Sequence, residues 1–202
     1  MAVIRRLFLA LALLTFSPMA AAAQSLPAVT AADRVLGRAD APVTVVEYAS
    51  FICPHCADWH LNVLPAFKAR FIDTGQVRLV YRDLPTDPVQ LSATAAALGR
   101  CAAPGRFFEV AEVLMRGQAA VRAGGDMAAW YGPAIQASGR TRPEIEACIA
   151  RPDTLTDMQA EMQGGTAAGV TGTPTFFVNG RKVDDSSLDG LSAAITPLLP
   201  AG

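Results

Sequence analysis

Between residues 43 and 82 the chain passes from an apolar β-branched run, through Cys53-Pro54-His55-Cys56, into a helical pattern and then a second apolar run. Val43-Thr44-Val45-Val46-Glu47-Tyr48 has the near-continuous apolar character of a strand buried on both faces of a parallel sheet. From Pro54 to about Asp73, Trp59, Val63, Phe67 and Phe71 recur every four residues and line one helix face. Pro65 falls inside this helix and is expected to kink or locally break it. Asp73-Thr74-Gly75 ends the helix, and Val77-Arg78-Leu79-Val80-Tyr81-Arg82 reads as a second strand. Strand, helix and strand within about 40 residues make a βαβ unit.

The pattern then changes. Residues 83–88 are a Pro-rich break, and the next stretch holds alanine-rich helical patterns at about 89–101, 105–118, 126–138, 142–150 and 153–168. Sheet character returns at Thr175-Phe176-Phe177-Val178. Asn179-Gly180 favours a two-residue hairpin turn, and Arg181-Lys182-Val183 pairs back antiparallel. Leu188, Leu191, Ile195 and Leu198 line a last helix that Pro197 stops. The order βαβ, helical block, ββα predicts an α/β fold with a mixed central sheet and an inserted all-helical subdomain. The expected division is a leader over 1–23, sheet domain over 24–87 and 166–202, and insertion over 88–165.

The leader sets the compartment. Met1 to Arg6 hold two arginines and no acid, residues 7–16 are apolar, and Ser17-Pro18 precede Met19-Ala20-Ala21-Ala22-Ala23. These three parts read as a secretory signal peptide cut after Ala23. The apolar run is shorter than the about 20 residues of a permanent membrane helix. Beyond the cut, 15 basic and 18 acidic residues remain, a balance that gives no support to nucleic-acid binding. An exported, periplasmic chain is expected to carry disulfides.

Two cysteines with two residues between them, at a strand-to-helix turn, form a candidate redox centre. The first lies where unpaired backbone N–H groups and the helix dipole favour a thiolate. Cys53 is therefore the expected attacking sulfur, and Cys56, a turn further in, the resolving one. His55 is expected to add positive charge beside Cys53 when protonated. A zinc site would want a second paired motif or closely spaced histidines. Cys101 and Cys148 are isolated and the only histidines are His55 and His60, so no metal and no cofactor beyond the redox disulfide is expected. His60, inside the helix, reads as an ordinary surface or packed side chain. Cys101 and Cys148 most simply form a structural disulfide, with a second redox role as the alternative.

The segment from Asp40 to Cys56, ending in Cys-Pro-His-Cys, resembles the active-site segment of DsbA-like proteins of the thioredoxin fold. Gly172-Thr173-Pro174-Thr175-Phe176-Phe177-Val178-Asn179-Gly180 is similar to their cis-proline segment. The likeness runs from about Asp33 to the last helix and is loose through the helical block. It implies a thioredoxin fold and a protein that introduces disulfides into reduced, unfolded exported polypeptides. It also implies a quinone-linked membrane reoxidant, and active-site roles for Pro54 and His55 within Cys-Pro-His-Cys. By the same likeness, Pro174 is cis, Thr173 pairs with bound substrate, and Glu47 lies under the active site, where it aids proton transfer. A strand-end Glu47 reaching solvent is the plainer reading. Thr173 departs from the residue expected of the best-known oxidase. A disulfide isomerase or reductase is the nearest alternative, and a non-catalytic chaperone or metal carrier a more distant one. The short stretch before the first strand lacks room for a dimerisation segment and points to a monomer.

Overall fold

The computed structural model describes residues 26–200, so the expected leader over 1–23 lies outside the described residues. Five strands form one mixed sheet: β1 Arg34–Leu36, β2 Val43–Ala49, β3 Val77–Asp83, β4 Thr175–Val178 and β5 Arg181–Val183. Their spatial order is β1-β3-β2-β4-β5, with β2 and β3 parallel and the other pairs antiparallel. β1 is an edge strand that sequence patterning missed, since three residues are too few to display a period. In the β2–β3 register Glu47 lies opposite Tyr81. Asn179 and Gly180 both take positive φ, as a tight hairpin between β4 and β5 requires.

The βαβ crossover is one helical path from Pro54 to Ile72, and it does not break at Pro65. It alternates α1 Pro54–Asp58, a π turn over Trp59–Val63, α2 Leu64–Phe67 and a second π turn over Lys68–Ile72. Four-residue spacing advances an α-helix by about 400°, drifting about 40° per step. The wider π turns absorb that drift, so Trp59, Phe67 and Phe71 all face the sheet and are buried. Pro65 sits just after the first wide turn, at the start of α2, where its missing N–H is tolerated.

This path packs with α8 Leu188–Ile195 on the sheet face formed by Val43, Val45, Leu79 and Phe176. The opposite face, formed by Val46, Tyr48, Val80 and Phe177, packs on Ala168 and Val170. These follow the last helix of the insertion, whose helices are α3 Val89–Arg100, α4 Phe107–Arg122, α5 Met127–Ala137, α6 Arg142–Ile149 and α7 Pro152–Ala167. Gly165 lets α7 approach the sheet: a Cβ there would come within 2.7 Å of the Tyr48 ring. The insertion shares a core with the Cys53–Cys56 turn through Phe51, Phe107, Leu114 and Met115. It is fastened at the end of β3 by a buried network. Arg100 Nε donates to Asp83 Oδ2 at 2.6 Å, Arg100 also pairs with Glu161, and the Asp83 N–H donates to Glu161 at 2.7 Å.

Candidate active site

β2 ends at Ala49, and Ser50 to Ile52 turn the chain into the helical path. Ser50 accepts a hydrogen bond from Thr86 at 2.9 Å and shares one with Ser92 at 2.7 Å, which ties the turn to α3 and its preceding loop. From α4, the buried Gln118 amide donates to the carbonyls of Phe51 (3.1 Å) and Cys53 (2.9 Å). Both the sheet and the insertion therefore position the turn.

Cys53 is the N-cap of α1, with extended φ/ψ of −80° and 121°, and Pro54 occupies the first turn. Pro54 has no N–H, so the first free backbone donors belong to His55 and Cys56. Both cysteines are free thiols; Cys53 is 8% exposed and Cys56 is wholly buried. Across the turn stands the loop before β4, where the Thr173–Pro174 bond is cis. The Cys53 thiol donates to the Thr173 carbonyl at 3.2 Å.

The two sulfurs are electrostatically unlike. The Cys53 thiol is lowered to about 5, chiefly because the Cys56 thiol hydrogen-bonds to its thiolate; the Thr173 side chain and the backbone N–H groups of Cys56 and His55 add to this, against the cost of burial. The bond to the Thr173 carbonyl favours the protonated form and works the other way, but the donors aimed at the thiolate prevail. Cys56 is pushed well above the ordinary thiol range by burial first, then by its bond to Cys53 and the charge of Glu47.

His55 is exposed, and its backbone N–H helps lower Cys53. Glu47 does not reach solvent: it is wholly buried, its carboxylate 3.0 and 3.2 Å from His60 Nε2. His60 is buried too, 5% exposed, so the histidine read as ordinary is the partner of the buried acid. Its spacing from Glu47 crosses a turn and a wide helical turn, which periodicity does not encode. Gln118 was likewise missed, since nothing local marks a glutamine in an amphipathic helix as pointing inward.

Cys101 and Cys148 form a disulfide joining the end of α3 to α6, remote in sequence from the Cys53 turn. Among the described residues no cluster of three His, Cys, Asp or Glu could hold a metal, and no helix is long and apolar enough to cross a membrane.

The sequence model of the family described as Thioredoxin matches residues 29–196. A Rickettsia bellii protein named "Putative protein-disulfide oxidoreductase" is 31% identical over 165 residues, covering 81% of this chain and 63% of that one. The chain thus spans less than two thirds of that relative's length. Among solved structures, Wolbachia pipientis alpha-DsbA1 superposes with a TM-score of 0.76 at 23% identity, over 87% of this chain and 95% of that one. Oxidised BdbD from Bacillus subtilis gives 0.71 at 22%, over 83% and 92%. The expected thioredoxin fold with a helical insertion is the fold that is present.

Proposed function

The chain belongs to the thioredoxin family, and from that premise we propose that it is an exported thiol:disulfide oxidoreductase that donates its Cys53–Cys56 disulfide to reduced, folding polypeptides. The observation that carries this reading is the split between the sulfurs, Cys53 lowered to about 5 and Cys56 raised. A substrate thiolate attacks Cys53 Sγ, the Cys53–Cys56 bond breaks, and Cys56 leaves and takes up a proton. A second substrate thiolate then attacks the substrate sulfur of the mixed disulfide, and Cys53 leaves as a thiolate. The substrate loses two electrons to the Cys53/Cys56 pair. A low-pKa Cys53 is a good leaving group, and its stabilised thiolate favours the dithiol, which makes the disulfide oxidising.

Thr173 is the substrate-pairing residue of this reading. Its carbonyl, 3.2 Å from Cys53 Sγ, is placed to pair with an extended chain attached to that sulfur. The pair needs no metal or organic cofactor. The protein acts as a monomer in the periplasm, and a quinone-linked membrane partner restores its disulfide. Cys101–Cys148 is structural.

Equilibrium titration of Cys53/Cys56 against glutathione tests the direction of electron flow. A potential near about −120 mV, as for DsbA, fits an oxidase, whereas about −270 mV, as for thioredoxin, makes the protein a reductant and overturns the reading. An intermediate potential with efficient rearrangement of scrambled disulfides favours the isomerase instead.

A further inference from the structure

When a substrate displaces Cys56 from Cys53, the leaving sulfur needs a proton, because its thiolate is strongly disfavoured where it lies. The nearest groups cannot supply one. In the mixed disulfide Cys53 carries no proton, and the Thr173 carbonyl beside it only accepts. Cys56 is wholly buried, so water does not reach it directly. Glu47, whose charge acts on Cys56, is wholly buried as well.

His60 differs in one respect. Its ring is 3.0 Å from Glu47, and His60 is also among the residues that line a groove of about 970 Å³ between the sheet domain and the insertion. That groove also has Leu61, Leu64, Arg34 and Phe107 in its walls, and Cys56 and Glu47 do not line it. Imidazole can take a proton on one nitrogen and release one from the other, which a permanent cation such as arginine cannot do.

We propose that His60 connects the buried Glu47 carboxylate to solvent through this groove, so that the proton taken up by Cys56 enters from the side of the molecule facing the insertion rather than through the substrate face. This rests on the thiol–disulfide reading of Cys53 and Cys56. As the Cys53–Cys56 bond breaks, the Glu47–His60 pair gives one proton to Cys56 Sγ. The pair regains it from groove water through His60; oxidation of the dithiol runs the same transfers in reverse. His60 touches neither substrate nor sulfur, so it is a positioning residue acting through Glu47. Tyr81 from β3 lies edge-on to the His60 ring, and the groove that His60 lines also holds Asp33, Arg34 from β1, Lys68 from the helical path, Arg100 from α3, Arg140, and Glu109, Glu112 and Arg116 from α4. Of these and Glu47, only Glu47 is hydrogen-bonded to His60.

The test separates packing from proton transfer. Gln in place of His60 keeps an amide donor for Glu47 but does not titrate. We expect His60→Gln to slow the reaction of the oxidised protein with reduced glutathione by about tenfold at neutral pH, with little change in thermal stability. His60→Ala should be slowed similarly and regain rate as imidazole is added, because the groove leads to the space the ring leaves. Wild-type rates in His60→Gln, or a slow His60→Ala that imidazole leaves unchanged, overturn the proposal. None of these readings depends on the equilibrium potential, so a reductant-like potential would defeat the proposed function and leave this inference standing.

Discussion

Cys53 and Cys56 share one helical turn, whereas Cys101 and Cys148 join two helices across 47 residues. Around the first pair, donors converge on one sulfur while burial and a carboxylate penalise charge on the other. The second pair closes a long loop in the insertion, and Cys101 lies in its apolar core. In the first pair the surroundings favour the reduced form; in the second, the bond restricts the unfolded chain and favours the oxidised form. Two chemically identical bonds in one domain are thus predicted to respond to reduction with opposite signs.

The largest contrast is in turnover. Cys53→Ala should bring disulfide transfer to a reduced, unfolded test protein down to the uncatalysed background, while Cys101→Ala/Cys148→Ala remains active. Turnover surviving the first change, or lost with the second in a folded protein, would erase the distinction. Next comes stability: urea unfolding of the Cys101→Ala/Cys148→Ala protein should show a loss of about 2–4 kcal/mol, as expected for a loop of this length. No loss would mean that the bond does not brace the insertion.

A pH dependence sharpens the comparison further. The folded Cys53 thiol lies below its unfolded value, so its contribution to the reduced form is fully present above the ordinary thiol range and is lost as pH falls through about 5. In the Cys101→Ala/Cys148→Ala background, the stability advantage of reduced over oxidised protein should therefore shrink steadily between about pH 9 and pH 5. Alkylation of Cys53 should show a midpoint near pH 5, with Cys56 protected. A flat stability difference, or an alkylation midpoint in the ordinary thiol range, contradicts the asymmetry. The smallest effect belongs to Gln118→Ala, which leaves the Phe51 and Cys53 carbonyls without their amide donor and should cost about 1–2 kcal/mol, measured by the same unfolding experiment.

Much of the scaffold was legible in the chain because its signals are local. Near-continuous apolar, β-branched or aromatic runs marked β2, β3 and β4, Asn179-Gly180 marked the hairpin, and the five helical patterns fell close to the five helices of the insertion. Pro65 marks an irregularity rather than an end: the helical path continues through it because the π turn before it gives it a place at the start of α2. β1 was invisible because it gains its identity by pairing with β3.

The sequence by itself determined the order of elements, the position of Cys53 and Cys56 at a strand-to-helix turn, and the two remaining cysteines. These depend on residue type and short spacing, which act between neighbours along the chain. Only the tertiary structure decided that Glu47 is sealed in, that His60 is its partner, that Gln118 reaches the active-site turn, and that Thr173 stands over Cys53. Those relations join residues from 13 to 120 positions apart, and the sign of each electrostatic effect depends on which groups burial brings together.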